Sequence, residues 1–156
     1  MADEFMKEAS AEAEEGMKRN EGGPFGAVIV RDGKIVGKGH NQVLKFNDPT
    51  CHAEMQAIRD ACRKLGTYNL SGCTLYTSCY PCPMCMSAAI WADIKTVYYG
   101  NTAKDAAQIG FRDDYIYRFI EKGCKDKNVL TLREEDRKMT ETAFTEFEQK
   151  QDKKIY

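Results

Sequence analysis

The segments His52-Ala53-Glu54 and Pro81-Cys82-Pro83-Met84-Cys85 lie far apart in the chain, yet together they form one coherent set of metal donors. One imidazole and two thiolates suit zinc, and three protein ligands leave a fourth position for water. Cys82 and Cys85 are three residues apart where Pro81 and Pro83 open a helix, so both side chains face one way. The partial positive charge of a helix N-terminus favours their thiolate form. His52 begins another helix. The chain must therefore fold so that two helix starts point at one ion, one zinc per chain.

Glu54 sharpens the reading. Two thiolates and a neutral imidazole cancel the zinc charge, so water there is less acidified than beside three imidazoles. A nearby carboxylate is then useful as proton acceptor and donor, which makes Glu54 the candidate catalytic residue. The alternative is a purely structural site, which would take a fourth protein ligand. Cys79 is available for that role, but spacing of three and six residues beside two prolines makes three cysteines hard to place on one ion. An iron–sulfur pattern needs a further Cys-Pro, and position 89 is Ala. Cys51 is placed to line the site. Cys62, Cys73 and Cys124 read as packing residues.

Around these motifs the chain alternates. Phe5, Ala9, Ala13 and Met17 recur at helical spacing, and Gly22-Gly23-Pro24 ends that helix. Phe25–Val30 is an apolar strand, Asp32-Gly33 a hairpin turn, and Lys34–His40 the returning strand. Asn41–Thr50 reads as a polar loop. A helix over 52–65 stops at Gly66, and a strand covers 73–77. The Cys82 helix runs to Trp91, and a strand covers 95–99. A loop then leads to a helix from about Asp113. Asn128–Leu132 reads as a last strand. Met139, Ala143, Phe144 and Phe147 mark an amphipathic C-terminal helix. This order predicts an α/β fold, a three-layer α/β/α sandwich on a mixed sheet, with helices on both faces.

With 156 residues and no linker or repeat, the expectation is one domain over 1–156. Lys plus Arg is 23 against 24 Asp plus Glu, a net charge of -1, which offers no global attraction to nucleic acid or anionic membrane. That favours a small neutral substrate. No segment is apolar enough to cross a bilayer, and the charged first residues are not a signal peptide, so a cytoplasmic location is expected. An odd count of 7 cysteines fits free thiols and metal ligands rather than a disulfide framework.

The pattern H-x-E…P-C-x-x-C marks zinc-dependent nucleobase deaminases. Beyond it, the chain resembles the cytidine-deaminase-like superfamily, and within it the guanine-deaminating branch. The resemblance is carried by Gly22–Val30, Asn47-Asp48-Pro49-Thr50 ahead of His52, Thr77-Ser78-Cys79 ahead of Pro-Cys, Ala106-Ala107, Gly110-Phe111, Ile116-Tyr117 and the closing Lys153-Lys154-Ile155-Tyr156. It implies a five-stranded mixed sheet and a homodimer whose C-terminal segments are exchanged, each tail capping the other chain's pocket. It further implies a substrate-binding set of Asn41, Ala53, Asp113 and Tyr156, with Trp91 and Phe25 as walls.

Each of these has a plainer reading. Asn41 also reads as a turn residue, Asp113 as a helix N-cap, Tyr156 as a frayed terminus, and Trp91 as core. Two positions depart from the pattern: Tyr80 where relatives often carry Glu, and Cys51 before His-Ala-Glu. The implied reaction is hydrolysis of guanine to xanthine and ammonia. The rivals are the same chemistry on cytosine, guanosine or tRNA adenosine, and a non-catalytic zinc-binding module.

Overall fold

Five consecutive residues, Gly26–Val30, are buried, which places β1 (Gly26–Arg31) inside the sheet. The structure is a computed structural model that describes residues 2–156. β1 runs antiparallel to β2 (Lys34–His40) through the Asp32-Gly33 turn, where both residues take positive φ. On its other side β1 runs antiparallel to β3 (Thr74–Cys79), which pairs in parallel with β4 (Thr96–Asn101). The sheet is mixed, with order β2-β1-β3-β4.

Alternation along β1 and β3 divides the core into two. Val28, Val30 and Tyr76 face α1 (Ala2–Lys18), with Phe5 and Met6 packed against them. Ala27, Ile29 and Leu75 face the other way, onto α3 (Ala53–Leu65) and α4 (Pro83–Trp91), where Ala53, Ala57, Ala61 and Ala89 meet them. This is the expected three-layer arrangement. Burial of Ile29 or Leu75 stabilises by about 1.5–3 kcal/mol each. In α1 the inner face is Ala9, Ala13 and Gly16, and Met17 is exposed. Helical drift of 3.6 residues per turn moves the stripe from position 17 to 16.

α3 lies unusually close to β2. A Cβ on Gly39 would stand 2.4 Å from Ala57 N and 2.7 Å from Ala53 O, and one on Gly37 2.6 Å from Ala57 O. Glycine opposite alanine lets helix backbone rest on strand backbone, which fixes the position of the α3 N-terminus. The chain from β3 passes through Pro81 into α4 and returns in β4, a parallel βαβ unit. The start of α4 therefore sits at the carboxyl end of β3, where open α/β sheets place their ligands.

The loop after β2 contains a short helix, α2 (Val43–Phe46). The segment after β4 forms α5 (Ala103–Gln108), capped reciprocally by Thr102 and Asp105, and then α6 (Asp114–Glu121). The expected fifth strand at Asn128–Leu132 is absent among the described residues. There, Val129 N and Leu130 N both donate to Asp126 O at 3.1 and 3.2 Å, a local turn that uses the donors a strand ladder would need. The sheet thus has four strands rather than five.

The chain forms two compact units, one ending at Tyr117 and one running Arg118–Tyr156. The second carries α7 (Arg137–Gln149), at the place the amphipathic pattern predicts, with Met139, Phe144 and Phe147 exposed.

Candidate metal centre

His52 and Cys82 are the N-caps of α3 and α4. Both have extended backbone angles, and neither uses its side chain to cap its helix. Their donor atoms are thereby free to point outward, at each other. Cys82 Sγ lies 3.5 Å from His52 Nδ1, and Cys85 Sγ lies 3.6 Å from the same atom. The three donor atoms are all within 4.8 Å of one another. Ligands held about 2.1 and 2.3 Å from a tetrahedral zinc stand roughly 3.6 Å apart. The donor set fits zinc in both identity and spacing.

The charge is arranged to match. The Cys82 thiol is drawn down to about 4, because Cys85 and His52 direct hydrogen bonds to its sulfur, which outweighs its burial. His52 is raised, chiefly by its hydrogen bond to Cys82. In Cys85 the proton is held by the hydrogen bond to Cys82 and by burial. One thiolate forms readily, and a divalent cation displaces the remaining protons.

Glu54, in the first turn of α3, is 6 % exposed. Its carboxyl lies beside Cys85, and burial raises its pKa above the usual carboxylate range. It is thus next to the donor cluster without being one of its three members. Cys79, the alternative fourth ligand, turns away. Its Sγ lies 3.6 Å from Thr102 O, and burial pushes its thiol up to about 11. Among the described residues no fourth donor joins His52, Cys82 and Cys85.

The candidate substrate residues distribute unevenly. Asn41 is 6 % exposed. Its Oδ1 accepts from Val43 N at 3.1 Å, the turn reading, while its amide nitrogen has no acceptor among the described residues. Both neighbours of Asn41 hold the same carboxylate: His40 Nε2 and Gln42 Nε2 each lie 2.7 Å from Glu21 Oε2. Ala53 is the fully buried first residue of α3. Its N–H is among those a helix start leaves without an intrahelical acceptor. Asp113 precedes α6, and its carbonyl accepts from Ile116 N at 3.0 Å. Its carboxyl is raised by burial and by the negative charge of Cys82, and its own charge acts on His52. Phe25 is half-buried and packs edge-on to Phe111 with ring centroids 5.0 Å apart.

Trp91 does not join them. It ends α4, about 13 Å along the helix axis from Cys82, and is 73 % exposed. The apolar helix that made it read as wall or core turns this position outward. Tyr156 lies in the second unit and is 82 % exposed.

Two contacts escaped the sequence. Thr77 Oγ1 lies 3.1 Å from Glu54 Oε1. Tyr117 donates from its hydroxyl to Pro81 O at 2.5 Å, which pins the loop ahead of Cys82. Local pattern puts Thr77 at the end of a strand but carries no signal for a partner 23 residues away. Tyr80, one of the departures, packs against Tyr99 and Tyr117 with centroids at 5.0 and 6.3 Å. Cys51, the other, is buried and accepts a long contact from Arg59 Nη1 at 3.7 Å.

Residues 1–101 match the cytidine and deoxycytidylate deaminase zinc-binding region. The chain is 51% identical over 125 residues to guanine deaminase of Bacillus subtilis (strain 168), covering 80% of each. It is 45% identical over 100 residues to a tRNA-specific adenosine deaminase of Aquifex aeolicus (strain VF5), covering 64% of this chain and 66% of that one. An X-ray structure of guanine deaminase from Bacillus subtilis matches with a TM-score of 0.92 and 44% identity, over 99% of this chain and 98% of that one. The matched region contains both helix starts that converge here, and their donors have zinc spacing, so the chain belongs to the cytidine and deoxycytidylate deaminase zinc-binding family.

Proposed function

We propose that this protein hydrolyses guanine to xanthine and ammonia. The observation that carries the reading is Glu54: a buried carboxyl beside Cys85 of the zinc donor set, in a chain that matches a guanine deaminase structure along nearly its whole length. Zinc held by His52, Cys82 and Cys85 would supply Lewis acidity, making water nucleophilic near neutral pH.

The chain's own groups do the rest. The base lies flat with C2 toward Glu54 and Phe25 as a wall. The Asn41 amide, already fixed as acceptor by Val43 N, offers its N–H groups to the purine edge. Asp113 accepts from ring and amino N–H groups, which distinguishes guanine from adenine. Glu54 takes a proton from water as oxygen bonds to C2, and passes it to the adjacent ring nitrogen. It then carries the proton of the new C2 hydroxyl to the amino nitrogen; the C2–N bond breaks, ammonia leaves, and a C2 carbonyl remains. The Ala53 N–H orients the tetrahedral adduct. In the exchanged dimer the tail that carries Tyr156 caps the other chain's pocket.

The same reading includes a single catalytic domain, exchange of the C-terminal segment in a homodimer, and a cytoplasmic location. Among the described residues no helix is long and apolar enough to cross a membrane. The exposed apolar residues of α7 support the dimer, and light scattering on the purified protein tests it.

Ammonia release across guanine, guanosine, cytosine, adenine and an anticodon stem-loop, with and without a chelator, tests the substrate. Turnover of guanine alone, abolished by the chelator and restored by zinc, is expected. Turnover of the stem-loop would transfer the protein to the tRNA-editing reading, and stoichiometric zinc without ammonia from any substrate to the non-catalytic one.

A further inference from the structure

Thr77 is the fully buried, 1 % exposed, polar residue of the central strand β3. Its Oγ1 stands 3.1 Å from Glu54 Oε1 and 3.1 Å from the Cys79 backbone oxygen. A hydroxyl has one hydrogen and two lone pairs, so it cannot give a full hydrogen bond to both acceptors at once. The two positions are equidistant, and the hydrogen turns between them about the Cβ–Oγ bond without movement of any heavy atom.

Thr77 thus ties the Glu54 carboxyl to the backbone of β3: one hydroxyl stands between Oε1 and the Cys79 carbonyl, and its hydrogen can be given to either. A side chain lacking the hydroxyl would leave Oε1 with one partner fewer, inside a buried site where an unmet polar atom is costly.

We propose that Thr77 is a positioning residue for Glu54: its buried hydroxyl, set between Glu54 Oε1 and the Cys79 carbonyl, holds that carboxyl oxygen in one place beside the donor cluster. The proposal rests on the reading of Glu54 as shuttle, so the test includes Glu54→Gln. Thr77→Val, Thr77→Ser and Glu54→Gln are prepared as zinc-loaded full chains. Guanine kcat and KM, zinc per chain and thermal unfolding are measured for each. Thr77→Val is expected to keep its zinc and its KM while kcat falls roughly 10- to 100-fold. Thr77→Ser, which retains the hydroxyl, is expected to restore kcat. Should Thr77→Val fail to fold, Thr77→Ala, which adds no bulk, carries the same expectation.

Wild-type kcat in Thr77→Val or Thr77→Ala, with Glu54→Gln inactive, overturns the role of Thr77 alone. So does a loss in Thr77→Ser equal to that in Thr77→Val, or a loss of zinc in parallel with kcat. An active Glu54→Gln overturns the shuttle itself, and Thr77 with it.

Discussion

His52 Nδ1 and Cys82 Sγ, 3.5 Å apart, belong to residues that each occupy the last extended position before a helix. Each helix start supplies positive potential, and each leaves its cap side chain uncommitted. Two such ends meeting make a rigid holder for a cation bound through thiolate.

Metal content distinguishes ligands from bystanders. Cys82→Ser and Cys85→Ser are expected to lose zinc on dialysis, while Cys79→Ser keeps about one ion per chain. The Cys79 thiol is directed at Thr102 O and takes no part in the cluster. Mass-spectrometric metal analysis of the three variants measures this, and zinc loss in Cys79→Ser would show a four-ligand site.

Glu54→Gln should preserve zinc and fold while kcat on guanine drops roughly 10²- to 10⁴-fold, the usual contribution of a general acid–base group. Amide replaces carboxyl at nearly constant volume, so packing against Thr77 and Cys85 is kept. Ammonia release with parallel zinc analysis is the measurement. Near-normal turnover would remove Glu54 from the mechanism.

A part-buried ion-pair network ties α1 to β2 and gives stability a defined pH window. His40 Nδ1 lies 3.0 Å from Glu12 Oε2, and its Nε2 lies 2.7 Å from Glu21 Oε2. Burial pulls the His40 pKa down, but the hydrogen bonds its ring donates to the Glu12 and Glu21 carboxylates raise it above 6.5 overall. Glu21 is lowered from 4.5 to about 2, first by its hydrogen bond with His40. The His40 contribution is complete below 6.5 and is lost as pH rises through its raised folded value. The Glu21 contribution is complete above 4.5 and is lost as pH falls toward about 2. The Tm difference between wild type and Glu21→Gln is therefore expected to be greatest between pH 4.5 and 6.5 and to narrow on either side. A difference independent of pH would assign Glu21 a packing role only.

Gly39→Ala tests the seam that sets the α3 start. The added methyl would lie 2.4 Å from Ala57 N, which is backbone and has no rotamer to adjust. A loss of about 1–3 kcal/mol in urea unfolding is expected. Because displacement of α3 also moves His52 and Glu54, weaker zinc retention should accompany it. Unchanged stability would mean that α3 and β2 tolerate separation.

The donors His52, Cys82 and Cys85 were legible in the chain because metal chemistry restricts both donor type and local spacing, and because helix starts have their own signals in proline and polarity. The hairpin at Asp32-Gly33 and the alternation of helix and strand were legible for the same reason: each is a local pattern. Only the tertiary structure decided what depends on approach between distant segments. It turned Cys79 toward Thr102, set Thr77 against Glu54, and bound both neighbours of Asn41 to Glu21. It also carried Trp91 to the far, exposed end of a helix whose composition gave no inner face, and left Asn128–Leu132 in a local turn. Periodicity fixes which side of an element a residue occupies, whereas partner identity follows from packing between elements, and that is settled only when the layers close on one another.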